Sequence, residues 1–167
     1  VATFRAALER LPQLDSIYAG FGNGSFLYLS RTGQAGAGPQ PAVPFGAVWR
    51  VWTISVDAER RISTTRFLDA DGATISEAED DSVTFDPRVR VWYRDAASPG
   101  ASAISEPYIS FRDRLPVYTI RAPLRNGHDG VVGADLRLQS LVSQLATERI
   151  GATGVVFLFD DAERLIA

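Results

Sequence analysis

Two runs of β-favouring residues, Ile17-Tyr18-Ala19-Gly20-Phe21 and Phe26-Leu27-Tyr28-Leu29, stand either side of Gly22-Asn23-Gly24. An Asn-Gly pair between two such runs favours a tight turn with positive φ, so the chain is expected to double back there as an antiparallel hairpin. The same strand chemistry recurs in Val48 to Val56 and Ser63 to Leu68, where β-branched and aromatic residues are interleaved with polar ones. Asp71-Gly72 marks the next turn. Three further strands are expected at Ser105 to Phe111, Pro116 to Ala122 and Gly130 to Asp135, separated by turn residues at Asp113 and at Asn126-Gly127.

Helical spacing is confined to a few places. Phe4, Ala7, Leu8, Leu11 and Leu14 recur at steps of three and four, the stripe of an amphipathic helix that Pro12 ends or kinks. A short helix is expected near residue 92. Leu138, Leu141, Val142 and Leu145 give a second stripe over 137–149, closed by Gly151. Residues 31–46 are too rich in Gly and Pro for regular structure and read as a loop. Glu77-Ala78-Glu79-Asp80-Asp81 reads as a solvated surface loop, because carboxylates in succession suit solvent better than chelation. Gly154 to Phe159 opens a fresh strand with a turn at Asp160-Asp161. The order predicts an α+β domain: one antiparallel sheet with helices on one face.

Composition narrows the function. With 167 residues, 46% of them hydrophobic, the chain has material for one main core. Its 20 acidic and 17 basic residues leave a net charge of -3 without a long block of either sign, which disfavours a nucleic-acid partner. The absence of Cys removes disulfides, thiolate metal sites and Cys nucleophiles. Met is also absent, so the sequence reads as an excised or processed piece. It holds no run of about 18 apolar residues, and any membrane anchor is expected outside it.

The segment Phe85-Asp86-Pro87-Arg88-Val89-Arg90-Val91-Trp92-Tyr93-Arg94-Asp95-Ala96 resembles the signature of double Cache (PAS-like) sensor domains. Ile104-Ser105-Glu106-Pro107-Tyr108, the strand Val117 to Pro123, and Gly130-Val131-Val132-Gly133-Ala134-Asp135-Leu136 follow in that family's order. The resemblance implies a PAS-like antiparallel sheet with a long N-terminal helix and flanking helices. It implies a membrane-distal subdomain over 1–150, with 151–167 starting a truncated membrane-proximal one. It places the domain on the periplasmic or extracellular side of the bacterial inner membrane, held only through flanking transmembrane helices absent from this sequence. Such domains sit on histidine kinases, nucleotide cyclases and chemoreceptors, and they bind small molecules without a cofactor.

A pocket for a small zwitterion needs a cation for the carboxylate, an anion for the ammonium, and aromatic walls that exclude water. Arg90 can grip a carboxylate through two parallel donors and Asp135 can accept from an ammonium, with Trp92, Tyr93 and Tyr108 supplying walls and a hydroxyl. Arg90 and Trp92 can share one pocket only if the helix begins near Val91, because residues two apart on a regular helix point apart. The resemblance adds Phe85 and Ser110 as site positions. Phe85 stands where the family's amino-acid-binding pattern has Tyr, and Ser110 where a second carboxylate is often found. Losing a hydroxyl and a carboxylate weakens the ammonium side, which favours a carboxylate or other small organic ligand over a plain amino acid.

Structural alternatives stand beside these roles. Arg90 can pair with Asp86 or Glu106, Trp92 can be core, and Asp86-Pro87 reads as a helix cap and first-turn pair. Trp49 and Trp52 fall on opposite faces of their strand, one for the core and one for a pocket or dimer contact. His128 lies in an apparent surface turn. With one His and no Gly-x-Ser-x-Gly elbow, neither a zinc site nor a serine-hydrolase triad is expected, nor is any metal site. A ligand-free module that dimerises or meets a partner protein, with the first helix forming a homodimer, is the alternative function.

Overall fold

In the computed structural model the described residues are 1–33, 41–57, 60–96, 104–112, 114–124, 129–137, 140, 142, 154–155, 157–159 and 163. The chain runs through helix α1 (Ala2–Arg10) and strands β1 (Ser16–Phe21), β2 (Phe26–Arg31), β3 (Trp49–Asp57), β4 (Arg60–Leu68) and β5 (Thr74–Asp80). A 3-10 turn (Pro87–Val89) and helix α2 (Val91–Ala96) follow, then β6 (Tyr108–Ile109), β7 (Pro116–Pro123) and β8 (Gly130–Arg137). The eight strands form one sheet in the order β5-β4-β3-β2-β1-β8-β7-β6, antiparallel throughout.

The hairpin expected at Gly22-Asn23-Gly24 forms, with four residues, Gly22 to Ser25, between the two strands. Gly24 takes the left-handed conformation at φ 85°, and the Asn23 carboxamide oxygen accepts from the Ser25 amide at 3.0 Å. Gly24, rather than Asn23, therefore supplies the positive φ.

Alternation along the strands divides the apolar residues between two faces. Leu14, Ile17, Leu29, Trp49, Val51 and Leu68 gather on one face, under Leu8 of α1. Tyr18, Phe26, Ile54, Val131 and Trp92 of α2 gather on the other, with Phe85. The helices thus cover opposite faces, not one as the sequence order suggested. Ile17 and Tyr18 are adjacent, large and both buried, so each face of β1 needs its own cover.

Helix α1 stops earlier than its stripe. Leu11 precedes Pro12, and the Pro ring disfavours helical backbone before it; Leu11 sits at φ -121°, ψ 80°. Leu14 still reaches the core, from irregular chain. Arg31 secures the turn by donating to the carbonyl oxygens of Leu8 and, at 3.0 Å, Leu14.

Two expectations need correction. Glu77 to Asp80 belong to β5 and not to a loop: they pair in register with β4 and form the exposed edge of the sheet. Charge on an edge strand discourages pairing with another chain, which explains acidic residues in extended backbone. The strand expected over Ser105 to Phe111 reduces to Tyr108–Ile109, an isolated Ile104–Ile120 bridge and a hydrogen bond from the Ser105 amide to the Thr119 carbonyl oxygen. Pro107 interrupts it because it has no N–H to give a ladder. The turns expected at Asp113 and Asn126-Gly127, His128 and the turn at Asp160-Asp161 lie outside the described residues. Of the helix expected over 137–149, Arg137 ends β8, Ser140 and Val142 are helical, and the rest lies outside the described residues.

Leu8 is fully buried where α1 meets the sheet. Leu8→Ala is expected to lower unfolding free energy by about 3 kcal/mol, read as a shift in the urea midpoint with unchanged slope.

Candidate functional site

The second face of the sheet carries the site. Strand register lines up Arg121, Gly133, Tyr18, Tyr28, Trp52 and Thr65 as one row across β7, β8, β1, β2, β3 and β4. The neighbouring row begins Thr119, Asp135 and Ser16. Tyr18 can lie across its neighbour strand only because residue 133 is glycine: a Cβ there would stand 2.4 Å from Tyr18 Cε2. The phenol reaches over Gly133 and donates to Asp135 Oδ1 at 2.6 Å. Thr119 Oγ1 donates to the same oxygen at 2.7 Å, and Ser16 Oγ to Oδ2 at 3.2 Å. The Tyr108 hydroxyl completes the cluster, 2.8 Å from Thr119 Oγ1 and 3.4 Å from Tyr18 Oη.

The chain from 85 to 96 forms the opposite wall. Asp86 caps the 3-10 turn by accepting from the Arg88 amide at 2.9 Å, and it also pairs with the Arg88 guanidinium at 2.7 Å. That hydrogen bond is the main reason its carboxyl stays below the ordinary aspartate range. Asp86 is therefore the cap and not the partner of Arg90. Arg61 of β4 fastens the segment by donating to the Phe85 carbonyl at 2.6 Å. Gly20 lets it approach β1, since a Cβ there would lie 2.7 Å from Pro87 Cβ and 2.8 Å from Trp92 Cη2. An ion pair of 3.3 Å between Asp95 and buried Arg121 ties α2 to β7.

Helix α2 begins at Val91, as the shared-pocket condition required. Arg90 keeps extended backbone at φ -82°, ψ 146°, so its side chain escapes the helical spacing and joins Trp92 on the same recess. The recess measures about 370 Å³ with its open mouth, and Tyr18, Tyr28 and Trp52 of the sheet line it. Phe85, Arg90, Trp92, Tyr108, Ser110 and Asp135 line it too. Tyr93 does not. Consecutive residues on a helix diverge by about 100°, and Tyr93 instead packs edge-on against Trp92 with ring centroids 5.6 Å apart.

The guanidinium of Arg90 stands 5.1 Å from the Phe111 ring centroid and 5.6 Å from that of Phe85, with no ion-pair partner among the described residues. Arg112 stacks over Tyr28 and Trp52 at 5.0 and 5.4 Å. Such stacking holds a cation in place while leaving its N–H edges for other acceptors. Trp52 lines the recess and Trp49 is buried on the other face, as their odd spacing required.

Tyr18, Phe26, Tyr28, Phe111 and Arg112 escaped the sequence reading of the site. The sheet residues carried a usable signal: Phe26 and Tyr28 alternate with Leu27 and Leu29, so an aromatic face was visible. The pairing that brings Tyr18 to Asp135, 117 positions away, was not.

Burial, reinforced by the nearby Asp135 charge, raises the Tyr18 hydroxyl well above the ordinary tyrosine value and pushes Tyr108 up to about 12. Both groups hold their protons more tightly folded than unfolded, where tyrosine ionises near pH 10. Their contribution to stability is complete below about pH 10 and is lost as pH rises toward the folded values. Thermal unfolding is expected to hold steady from about pH 7 to 9 and to fall between about pH 10 and 12. The Tyr18→Phe, Tyr108→Phe variant is expected to fall less steeply there; an equal slope would contradict the assignment.

No protein-family model matches the chain. Adenylate cyclase 1 of Rhizobium meliloti is 30% identical over 167 residues, 99% of this chain and 25% of that protein. The chemotaxis protein PctB of Pseudomonas aeruginosa is 41% identical over 76 residues, 44% of this chain and 12% of that one. The chain thus spans about a quarter or less of these relatives. Among solved structures, the ligand-binding domain of the Campylobacter jejuni chemoreceptor Tlp3 with L-norvaline has a TM-score of 0.56 at 15% identity, covering 99% of this chain and 47% of that one. The PctB ligand-binding domain with L-Arg has a TM-score of 0.51 at 24% identity, covering 99% and 53%. Motif order, fold and relatives point the same way: the chain has the PAS-like fold of the chemoreceptor ligand-binding domains and is similar to the Cache type of sensor domain.

Proposed function

We propose that this domain binds a small organic carboxylate in the recess between the sheet and the 85–112 segment, and that binding is the input of a transmembrane receptor. The observation that carries this reading is Arg90, a cation stacked on two aromatic rings at the recess, with no ion pair among the described residues. A guanidinium so placed meets a carboxylate with two parallel N–H donors, and aromatic walls keep water from competing. Phe85, Trp92, Tyr108 and Ser110 line the ligand, and Asp135 forms the opposite pole. Tyr93 supports Trp92 from behind.

The Tlp3 and PctB domains hold amino acids in their structures, which favours an amino acid or a relative of one. In this chain Asp135 already accepts from Tyr18, Thr119 and Ser16, so an ammonium would compete with three hydroxyl donors. A carboxylate whose acid group does most of the binding fits better than a ligand that depends on its ammonium. The domain acts as a sensor and not as a catalyst.

Residues 1–150 form the membrane-distal subdomain in this reading and 151–167 begin the membrane-proximal one, in keeping with a chain that spans about half of the solved domains. The domain lies on the outer side of the bacterial inner membrane, attached by transmembrane helices on either flank, and drives a kinase, cyclase or chemotaxis output. A route for the signal starts at Asp135. Two residues on, Arg137 pairs with buried Asp15 at 3.3 Å, and Asp15 precedes Ser16, which donates to Asp135. A ligand that draws on Asp135 therefore bears on the point where β8 leaves the sheet.

The competing reading, a ligand-free dimer through α1, receives little support from the helix. Its apolar side is spent on the sheet, and Thr3, Ala6, Glu9 and Arg10 face outward.

Thermal-shift screening of carboxylates and amino acids, followed by isothermal titration, is expected to find a saturable ligand for the wild-type domain. Arg90→Ala is expected to weaken it at least about a hundredfold, the scale of a lost charge-assisted pair. A variant that binds as tightly as wild type would overturn the proposal.

A further inference from the structure

A second cation at the recess narrows the ligand class beyond a single carboxylate. Arg112 lines the same cavity as Arg90 but rests on different rings, Tyr28 and Trp52 rather than Phe85 and Phe111. Arg112 also lines a wider groove of about 1140 Å³, open mouth included, which shares Trp52, Phe85 and Phe111 with the recess. It therefore stands where the recess and the groove meet, on rings other than those that hold Arg90.

Among the described residues, the charges lining the recess are two guanidiniums and one carboxylate. The carboxylate, Asp135, is sheathed by the Tyr18, Thr119 and Ser16 hydroxyls. Burial keeps the Tyr18 and Tyr108 hydroxyls protonated, so they add no negative charge near neutral pH. Ser110, the remaining polar residue of the wall, is neutral; its hydroxyl accepts from the Arg112 amide at 3.3 Å, holding that turn against the recess. A guanidinium offers five N–H donors, so Arg112 can serve a ligand acid group alongside contacts it already makes.

Resting on the proposed carboxylate site, we infer that the domain selects ligands with two acid groups, a dicarboxylate or an acidic amino acid. Arg90 takes the proximal group and Arg112 the distal one.

Isothermal titration with glutarate, valerate, L-glutamate and L-glutamine separates the cases. Glutarate and L-glutamate are expected to bind about tenfold or more tightly than their single-acid counterparts, the weight of one charge-assisted contact. Glutarate against L-glutamate tells a plain diacid from an acidic amino acid. Arg112→Gln is expected to erase the preference for two acids. A thermal unfolding midpoint like that of the wild type shows that this variant folds. Equal binding of one- and two-acid ligands, or a preference that survives Arg112→Gln, would overturn the inference and leave the carboxylate site intact. Failure of all four ligands to bind would overturn both.

Discussion

The hydrogen bond from Tyr18 to Asp135 crosses the middle of the sheet, and the site depends on it. It joins β1 to β8, residues 117 positions apart, at 2.6 Å. Its length is set by an absence, the missing Cβ of Gly133, which gives the Tyr18 ring a place to lie. The ring so placed is the surface against which Trp92 packs, at a centroid distance of 4.7 Å and 63° between planes. Strand pairing, floor and far wall of the recess are thus coupled through one phenol. An unsatisfied buried carboxylate would be costly, and the Tyr18, Thr119 and Ser16 hydroxyls keep Asp135 tolerable at 7% exposure.

The remaining walls are held by contacts that ask little of the ligand. Arg61 fixes Phe85, Asp86 caps its own turn, Asp95 grips Arg121, and Gly20 admits Pro87 and Trp92 against β1. With the structural carboxylates so occupied, Arg90 is left on its two rings. The division is physical: short local bonds build the wall, and Arg90 lines the recess from its perch on Phe85 and Phe111.

Much of this was legible in the sequence where local chemistry decides. Gly22-Asn23-Gly24 announced the hairpin, Asp86-Pro87 announced a capped turn, and the need to place Arg90 beside Trp92 required a helix start near Val91, which is where α2 begins. What sequence reasoning missed depended on pairing. Nothing local says that Tyr18 meets Gly133 or that Tyr28 and Trp52 share its row, because register is fixed by the assembled sheet. Acidic residues were read as a loop because solvated carboxylates and an exposed edge strand have the same composition. Tyr93 was placed in the pocket because its neighbour belongs there, and helix geometry separates the two.

The three tryptophans give the most direct test of whether this recess is the sensing site, since Trp52 and Trp92 line it and Trp49 is buried on the opposite face. In variants that keep one tryptophan each, with Phe at the other two positions, fluorescence is followed during titration with small dicarboxylates and amino acids. A saturable change at Trp92 and Trp52 with the same midpoint, and none at Trp49, is the predicted result. A ligand that perturbs Trp49 alone, or binds without moving either recess tryptophan, would contradict the account.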